Sequence, residues 1–227
     1  MVKDINRYLD HAILKPEMTR AEVVEAIELG LRYAVYTVCV RPCDIPLAVG
    51  MCAGSTTGVS CVLAFPHGDT LSAVKSDEAR RYIEAGANEI DMVVNYGYVK
   101  SGLWEAVTAD IAAVTDVARP AGVPVKVIFE TAQLSLDEIR KTTECSIDAR
   151  ADFVKTSTGF GGDGATEDGV RAMLETAAGR IKVKPSGGIR DRARAEMFIG
   201  MGVHRIGNGY NSTAAICGDT AATGDGY

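Results

Sequence analysis

The sequence predicts a single-domain α/β fold with eight parallel strands, and three observations support this prediction. Short β-branched or apolar runs alternate eight times with longer amphipathic stretches, as expected when helices connect parallel strands. Polar residues recur at the carboxyl ends of many runs, where a closed barrel gathers its loops around one site. The 227 residues are 47% hydrophobic, which is enough for one sizeable core. The predicted organisation is a TIM (β/α)8 barrel over residues 1–217 and a flexible tail at 218–227.

The predicted elements follow one another in a regular order. The strands are Leu9–Leu14, Val35–Val40, Val59–Phe65, Glu89–Asn95, Val125–Glu130, Asp152–Thr156, Ile181–Lys184 and His204–Gly207. The helices lie near residues 20–33, 44–53, 72–85, 103–120, 135–149, 166–178 and 191–201. An open doubly wound sheet would use the same strands and crossovers, so periodicity alone does not exclude it. The polar strand ends favour the barrel.

Several helix boundaries carry their own signals. Capping residues precede three helices: Thr19 with Glu22, Ser135 with Glu138, and Thr166 before Glu167 and Asp168. Glycines that could end a helix in the left-handed conformation occur at Gly30, Gly86 and Gly202.

Composition argues against several classes of function. The net charge is -6 and the basic residues are scattered, so neither nucleic acid nor an anionic membrane surface is an expected partner. No apolar stretch approaches the roughly 18 to 20 residues that span a bilayer, and the segment MVKDINRYLD lacks the apolar core of a secretory signal. We therefore expect a cytoplasmic location.

The six cysteines predict reduced thiols, because a chain with this core needs no disulfide framework. Cys39 and Cys43 are close in sequence, but no second pair at zinc spacing accompanies them, and His11, His67 and His204 are far apart. No metal site and no cofactor are expected.

Lys155 is the first candidate catalytic residue. It closes the apolar strand in DFVKTSTG, where a lysine either extends to water or serves a purpose. Lys184 closes the next strand in IKVKPSGGIR, so the two lysines should be neighbours. A nearby like charge and partial desolvation lower a lysine pKa, which suits an amine nucleophile. We expect Lys184 to lower the pKa of Lys155.

Asp91 lies within the apolar strand NEIDMVVN, on the face that should point into the barrel. Its carboxylate is expected near the lysines, where it either transfers protons or balances buried charge; the sequence does not separate these roles. Lys126 and Glu130 share a face of VKVIFET and are expected as supporting members of the same interior network.

Two Gly-rich loops are candidate phosphate sites. SGGIR, with Gly187, Gly188 and Arg190, follows the seventh strand and leads into a helix, so its backbone N–H groups could bind an anion. KTSTGFGGDGAT follows the sixth strand, and Thr158 and Gly159 are its expected contacts.

The phrases LDHAILKP, VCVRP, FPHG, EIDMVVN, VKVIFET, DFVKTSTGFG and KPSGGIR resemble, in order and spacing, the strand-end motifs of 2-deoxyribose-5-phosphate aldolases. The resemblance covers nearly the whole chain. It implies that Lys155 forms a Schiff base, Lys184 tunes its pKa and Asp91 serves a proton relay, with Asp10 among the supporting residues. The implied reaction is reversible cleavage of 2-deoxyribose 5-phosphate to acetaldehyde and glyceraldehyde 3-phosphate, and the implied assembly is a homodimer. Sugar phosphates and small aldehydes are thus the expected partners.

Two positions depart from the pattern of the family. Ala12 replaces a threonine, and Gly209 with Tyr210 replaces a Ser-Ser pair that helps to hold the phosphate. We expect weaker preference for phosphorylated aldehydes, with the Tyr210 hydroxyl as a substitute contact. Cys39 is expected either to line the pocket or to pack in the core. Tyr227 ends the chain, as a proton-transferring tyrosine does in some members, although most terminal residues are disordered.

Two other functions fit the same residues. One is another lysine-dependent aldolase on this barrel, acting on a different sugar phosphate or keto acid. The other is a barrel that binds phosphosugars without turnover, which the departures at Ala12, Gly209 and Tyr210 leave open.

Overall fold

Eight parallel strands form a barrel in the computed structural model, which describes residues 2–219. They are β1 (Leu9–Ile13), β2 (Thr37–Val40), β3 (Gly58–Leu63), β4 (Glu89–Val93), β5 (Val125–Ile128), β6 (Phe153–Lys155), β7 (Lys182–Lys184) and β8 (Ile206–Gly209). From β1 to β7 each strand pairs with the next one along the chain, and β8 pairs with β1. The predicted barrel is confirmed.

The seam between β7 and β8 closes the ring. Ser186 and Gly207 form a parallel bridge there, and the amide of Gly207 donates to the carbonyl of Pro185 over 2.9 Å. An open doubly wound sheet would instead reverse its strand order at a switch point and leave two edges. The continuous order of the strands and this seam exclude that alternative.

Helices surround the barrel between the strands. They are α1 (Arg20–Arg32), α2 (Ile45–Cys52), α3 (Ser72–Glu84), α4 (Tyr96–Lys100), α5 (Trp104–Ala118), α6 (Leu136–Asp148), α7 (Glu167–Ala177), α8 (Arg192–Gly200) and α9 (Thr213–Cys217). Helices α4 and α9 were not expected, since five residues are too few to show a helical period.

Several strands end earlier than predicted because the chain turns sharply into its loop. Ala64 has φ 50° directly after β3, and Glu130 has φ 56° after β5, so neither residue continues an extended strand. The eighth strand lies two residues later than predicted, at Ile206–Gly209.

The predicted helix caps are confirmed, with one exception among the glycines. Thr19 and Ser135 each form a capping box, and Thr166 accepts from the amide of Gly169 over 3.1 Å. Gly86 and Gly202 have φ 98° and 97° after their helices. Gly30 does not end a helix. It lies inside α1, where a Cβ would come within 2.8 Å of Val38 Cγ1, so this glycine allows close packing of α1 on β2.

The apolar core lies mainly between the barrel and its helices. Buried Phe129, Phe198, Ile90 and Met92 belong to it. A much smaller apolar cluster of Leu14, Cys39 and Val62 is separate from this core. Several buried charged groups lie within the barrel, and a further buried pair, Lys75 on α3 with Asp110 on α5, lies between the helices.

The end of the described chain is held by contacts. Gly218 follows α9 with φ 97°, and the Tyr33 hydroxyl donates to Asp219 over 2.6 Å. The remainder of the predicted tail, including Tyr227, lies outside the described residues. None of the helices at residues 2–219 is long and apolar enough to cross a membrane.

Candidate active site

Two lysines stand side by side at the carboxyl end of the barrel. Lys155 is the last residue of β6 and Lys184 the last of β7, and the two are partners in the parallel register. Lys155 is 4% exposed and Lys184 is fully buried. The predicted neighbourhood of the two lysines is confirmed.

Asp91 joins these lysines from the middle of β4. Its Oδ2 accepts from Lys155 over 2.8 Å and from Lys184 over 2.7 Å. Its Oδ1 accepts from Lys126 over 2.7 Å. The side chain is fully buried, so the predicted position of Asp91 inside the barrel, among cations, is confirmed.

A deeper layer continues the same network. Lys184 donates to Asp10 over 2.5 Å, and Lys126 lies 2.5 Å from Glu89. Arg205 donates to Asp10 over 2.7 Å and to Glu89 over 3.1 Å. We call these seven residues the charged cluster: Lys126, Lys155, Lys184, Arg205, Asp10, Glu89 and Asp91.

Arg205 belongs to the charged cluster although no sequence motif predicted it. It precedes β8, is 4% exposed, and its guanidinium lies 3.5 Å from the centre of the Tyr36 ring. A buried arginine in the apolar phrase VHRIG is the same signal that identified the lysines.

The charged cluster has one more cationic group than carboxylates. Four cations (three lysines and Arg205) face three carboxylates (Asp10, Glu89 and Asp91). Burial makes an unbalanced charge costly, and a lysine can relieve it by losing its proton. The cluster is therefore balanced when one of its lysines is neutral.

The pKa directions identify which lysine loses its proton most readily. Burial lowers the pKa of Lys184, although Asp10 and Asp91 oppose this effect. Burial also acts to lower the pKa of Lys155, but the Asp91 carboxylate outweighs it and the pKa lies above its ordinary value. The expectation of a lowered Lys155 pKa is thus corrected: in this arrangement, Lys184 has the lowered pKa.

Lys126 differs from the other two lysines. Burial acts to lower its pKa, but the carboxylates of Asp91, Asp10 and Glu89 raise it well above its ordinary value. Burial would raise the pKa of Asp91, yet Lys126, Lys155 and Lys184 hold it well below its ordinary range. Lys126 and Asp91 are consequently held as an ammonium and a carboxylate.

A pocket opens above the cluster. Lys155 and Lys184 line it together with Asp10, Ala12 and Cys39. Cys39 is 1% exposed, and burial raises the pKa of its thiol, so it presents a neutral wall. Lys126 is not among the residues lining this pocket.

The predicted phosphate loops meet at the same mouth. Thr158, Gly187, Gly188 and Gly209 line the main pocket. An adjoining cavity of about 320 Å³ shares Gly187 and Gly188, and is also lined by Gly159 and Arg190.

Backbone hydrogen bonds join the loop after β6 to the loop after β7. The amide of Ala165 donates to the carbonyls of Ser186 and Gly187, each over 3.1 Å. A Cβ at Gly164 would lie 2.2 Å from the Gly187 carbonyl, so the close approach requires glycine. The loops after β6 and β7 therefore form one unit beside Lys155.

Two predicted residues lie elsewhere. Tyr210 is absent from both pocket linings and packs with its ring centre 6.2 Å from that of His11, so its hydroxyl is not part of the described pocket. Glu130 was expected to belong to the charged cluster, but it lies outside it. Its carboxylate accepts the Thr158 hydroxyl, because the chain turns after β5 and carries Glu130 toward the next loop.

The chain is similar to known aldolases over nearly its whole length. A family model described as DeoC/LacD family aldolase matches residues 7–208. The deoxyribose-phosphate aldolase of Mannheimia succiniciproducens is 42% identical over 205 residues, covering 90% of this chain and 91% of the relative. That of Enterococcus faecalis is 41% identical over 224 residues, covering 99% of this chain and 100% of the relative. The solved structure of QR15, an aldolase, has a TM-score of 0.89 at 37% identity and covers 95% of both chains. The matched range contains the entire charged cluster.

Proposed function

Because the chain belongs to the DeoC/LacD family of aldolases, we propose that it reversibly cleaves 2-deoxy-D-ribose 5-phosphate to D-glyceraldehyde 3-phosphate and acetaldehyde through a Schiff base on Lys155. The observation that carries the proposal is the pocket itself. It brings Lys155, which has one carboxylate partner among the described residues, to the same mouth as two Gly-rich loops.

Lys155 is the best nucleophile of the three lysines in the charged cluster. Lys126 contacts Glu89, Asp91 and Asp10 and does not reach the pocket lining. Lys184 reaches the pocket but is held by two carboxylates, whereas Lys155 has only Asp91 among the described carboxylates within salt-bridge distance. Lys155 is thus the lysine with the fewest contacts to break before it attacks a carbonyl carbon.

Asp91 supplies the route by which Lys155 becomes a neutral amine. Lys184 loses its proton first because its pKa is lowered by burial. Since Lys155 and Lys184 donate to the same Asp91 oxygen, a proton can pass from Lys155 through Asp91 to a neutral Lys184. Asp91 then has two roles: its negative charge balances the lysines, and its carboxylate passes the proton. Lys184 accepts that proton.

The chemistry follows from the neutral amine. Lys155 adds to the C1 aldehyde of the open-chain sugar, and loss of water gives a protonated imine, which is an electron sink. Removal of the C3 hydroxyl proton lets the C2–C3 bond break, with its electron pair entering an enamine as D-glyceraldehyde 3-phosphate leaves. Protonation of the enamine at C2 and addition of water then release acetaldehyde and free Lys155.

The phosphate end of the substrate fits the paired loops. Backbone N–H groups of the two loops offer donors to an anion in the cavity beside Gly187 and Gly188. Because Gly209 has no hydroxyl and Tyr210 packs beside His11, we expect a weaker preference for phosphorylated substrates than a Ser-Ser pair would give. The ratio of kcat/KM for deoxyribose 5-phosphate to that for deoxyribose tests this. A ratio as large as in a relative with Ser-Ser would contradict the expectation.

The decisive experiment for the reaction is reduction with borohydride in the presence of acetaldehyde, followed by peptide mass mapping. A reduced two-carbon adduct on Lys155 is the expected result. An adduct on Lys184 would overturn the assignment of roles. The absence of any adduct would favour a barrel that binds phosphosugars without turnover, and product analysis separates this aldolase from one with another substrate.

A homodimer and a cytoplasmic location are also expected for this enzyme. The dimer rests on the resemblance of the sequence to its family, and sedimentation of the purified chain tests it. The location rests on composition and charge.

A further inference from the structure

Glu130 occupies an unusual place beside the active site. It follows β5, is 2% exposed, and has φ 56° and ψ 63°. This left-handed conformation is uncommon for a residue with a long side chain, and such residues concentrate at functional sites. A carboxylate buried there needs partners, since an unpaired one would be costly.

Within the described part of the chain, the side-chain partners of Glu130 belong to the loop after β6. One carboxylate oxygen, Oε2, accepts the Thr158 hydroxyl, and the other, Oε1, lies 3.4 Å from the Thr158 amide nitrogen that donates to it. A Cβ at Gly161 would lie 2.5 Å from Oε2, so any larger residue there would displace the Glu130 carboxyl group from Thr158. Gln133 reinforces the contact by donating to the Gly161 carbonyl over 2.9 Å. Glu130 therefore holds the segment that carries Thr158 against the turn after β5.

The hydrogen bonds of Thr158 then follow from its chemistry. A hydroxyl group has one hydrogen to donate and two lone pairs to accept with. The Thr158 hydroxyl donates to Glu130 Oε2, so its one hydrogen points at the carboxyl group. One lone pair accepts from the Phe160 amide over 3.0 Å. Among residues 2–219 no other donor contacts this oxygen, so one lone pair remains, and Thr158 lines the pocket together with Lys155.

The remaining lone pair determines which kind of group the Thr158 hydroxyl can bind. The non-ester oxygens of a fully ionised phosphate accept hydrogen bonds and do not donate them, so the Thr158 hydroxyl cannot donate to phosphate while Glu130 holds its hydrogen. A hydroxyl of the sugar can donate to it. The phosphate is left to the backbone groups of the neighbouring loops.

We propose that Glu130 is a positioning residue that turns the Thr158 hydroxyl into an acceptor for a substrate hydroxyl, so that the site selects 2-hydroxyaldehydes as the acceptor in aldol addition. The inference rests on the proposed function, which supplies the reaction in which the acceptor is bound. A site built to pair with a substrate hydroxyl discriminates against the analogue that lacks it.

The test compares two acceptors in the aldol direction, with acetaldehyde as donor. One is D-glyceraldehyde 3-phosphate, and the other is 3-oxopropyl phosphate, which lacks the 2-hydroxyl group. We define the selectivity as the ratio of their kcat/KM values. Thr158→Val and Glu130→Gln should each lower this ratio about tenfold, and the matched control Thr158→Ser should keep it.

Inhibition by inorganic phosphate shows whether Glu130 positions the Thr158 hydroxyl or only supports the loop after β6. If Glu130 only supported the loop, Glu130→Gln would weaken phosphate inhibition together with the selectivity. Under the proposal, the selectivity falls while the phosphate inhibition constant stays within about twofold of that of the unaltered enzyme. The variant with both Glu130→Gln and Thr158→Val should lose no more selectivity than Thr158→Val alone, because the two residues act as one unit.

The outcomes separate this inference from the proposed function. If the unaltered enzyme turns over neither acceptor, the proposed function fails. If it turns over both but Thr158→Val leaves the selectivity unchanged, the inference is overturned and the reaction stands. A Glu130→Gln variant that loses selectivity and phosphate inhibition together also overturns the positioning role.

Discussion

Lys155 and Lys184 are register partners on neighbouring strands, and both ammonium groups donate to one carboxylate oxygen, Oδ2 of Asp91, over 2.8 Å and 2.7 Å. Two buried cations that share one oxygen are poorly balanced, and the imbalance extends to the whole charged cluster, with four cations and three carboxylates. Loss of the proton from one lysine would balance the charges of the cluster, so we expect one of its lysines to be neutral.

Replacing Lys155 with Met should abolish catalysis without destabilising the fold. The substitution removes one cation from a cluster with a cation in excess, and Met fills a similar volume. We expect kcat to fall at least about a thousandfold, no borohydride adduct, and a melting temperature that does not decrease. Lys141→Met, at an exposed lysine paired with Glu144, is the control and should change neither activity nor adduct. A clear drop in melting temperature for Lys155→Met would contradict the charge count.

The activity should rise with pH because of Lys184. The proposed proton route needs Lys184 neutral, and burial lowers its pKa from the ordinary lysine value of about 10.4. The rising limb of kcat/KM is therefore expected below that value. Asp10 and Asp91 face this ammonium as anions, and Lys155 and Lys126 as cations.

Lys184→Met should remove this limb from the pH profile, whereas Lys182→Met, at an exposed lysine on the same strand, should keep it. The same shift affects stability. The pKa of Lys184 is lower in the folded chain than in the unfolded chain. At a pH between these two values the folded chain binds fewer protons at Lys184, so the contribution of Lys184 to stability increases as the pH rises through this window. A rising limb that persists in Lys184→Met would assign it to another group.

Asp91→Asn should cost stability as well as activity. It leaves four buried cations facing two carboxylates, and loss of one partner from a buried ion pair typically costs about 3–5 kcal/mol. Urea unfolding of the variant measures this cost. Adding Lys184→Met to Asp91→Asn removes a cation and should recover part of the loss. If Asp91→Asn is as stable as the unaltered protein, the carboxylate is not the balancing charge.

Gly207→Ala should reduce activity through the position of Lys184. A Cβ at Gly207 would lie 2.7 Å from Ser186 Cβ and 3.2 Å from Lys184 Cε, at the seam between β7 and β8. The seam or the lysine must move, so we expect a lower kcat and a lower melting temperature. Gly200→Ala, at a position with no atom within 4 Å of the added Cβ, is the matched control and should leave kcat unchanged.

The sequence predicted most of the barrel because its signals are local. Eight apolar runs, capping residues such as Thr19 and Ser135, and glycines after helices all act within a few residues. Strand ends were less accurate, since Ala64 and Glu130 take left-handed conformations that no local pattern marks. The short helices α4 and α9 were missed for lack of length.

The sequence by itself determined the alternation of strands and helices, and placed Lys155, Lys184 and Asp91 on inward faces through the two-residue period of a strand. Only the tertiary structure decided how their charges combine. Arg205 and Asp10 join the charged cluster across the closed barrel, and Glu130 leaves it for Thr158. The direction of each pKa shift depends on the distances between groups on different strands and on their common burial, which no stretch of sequence contains.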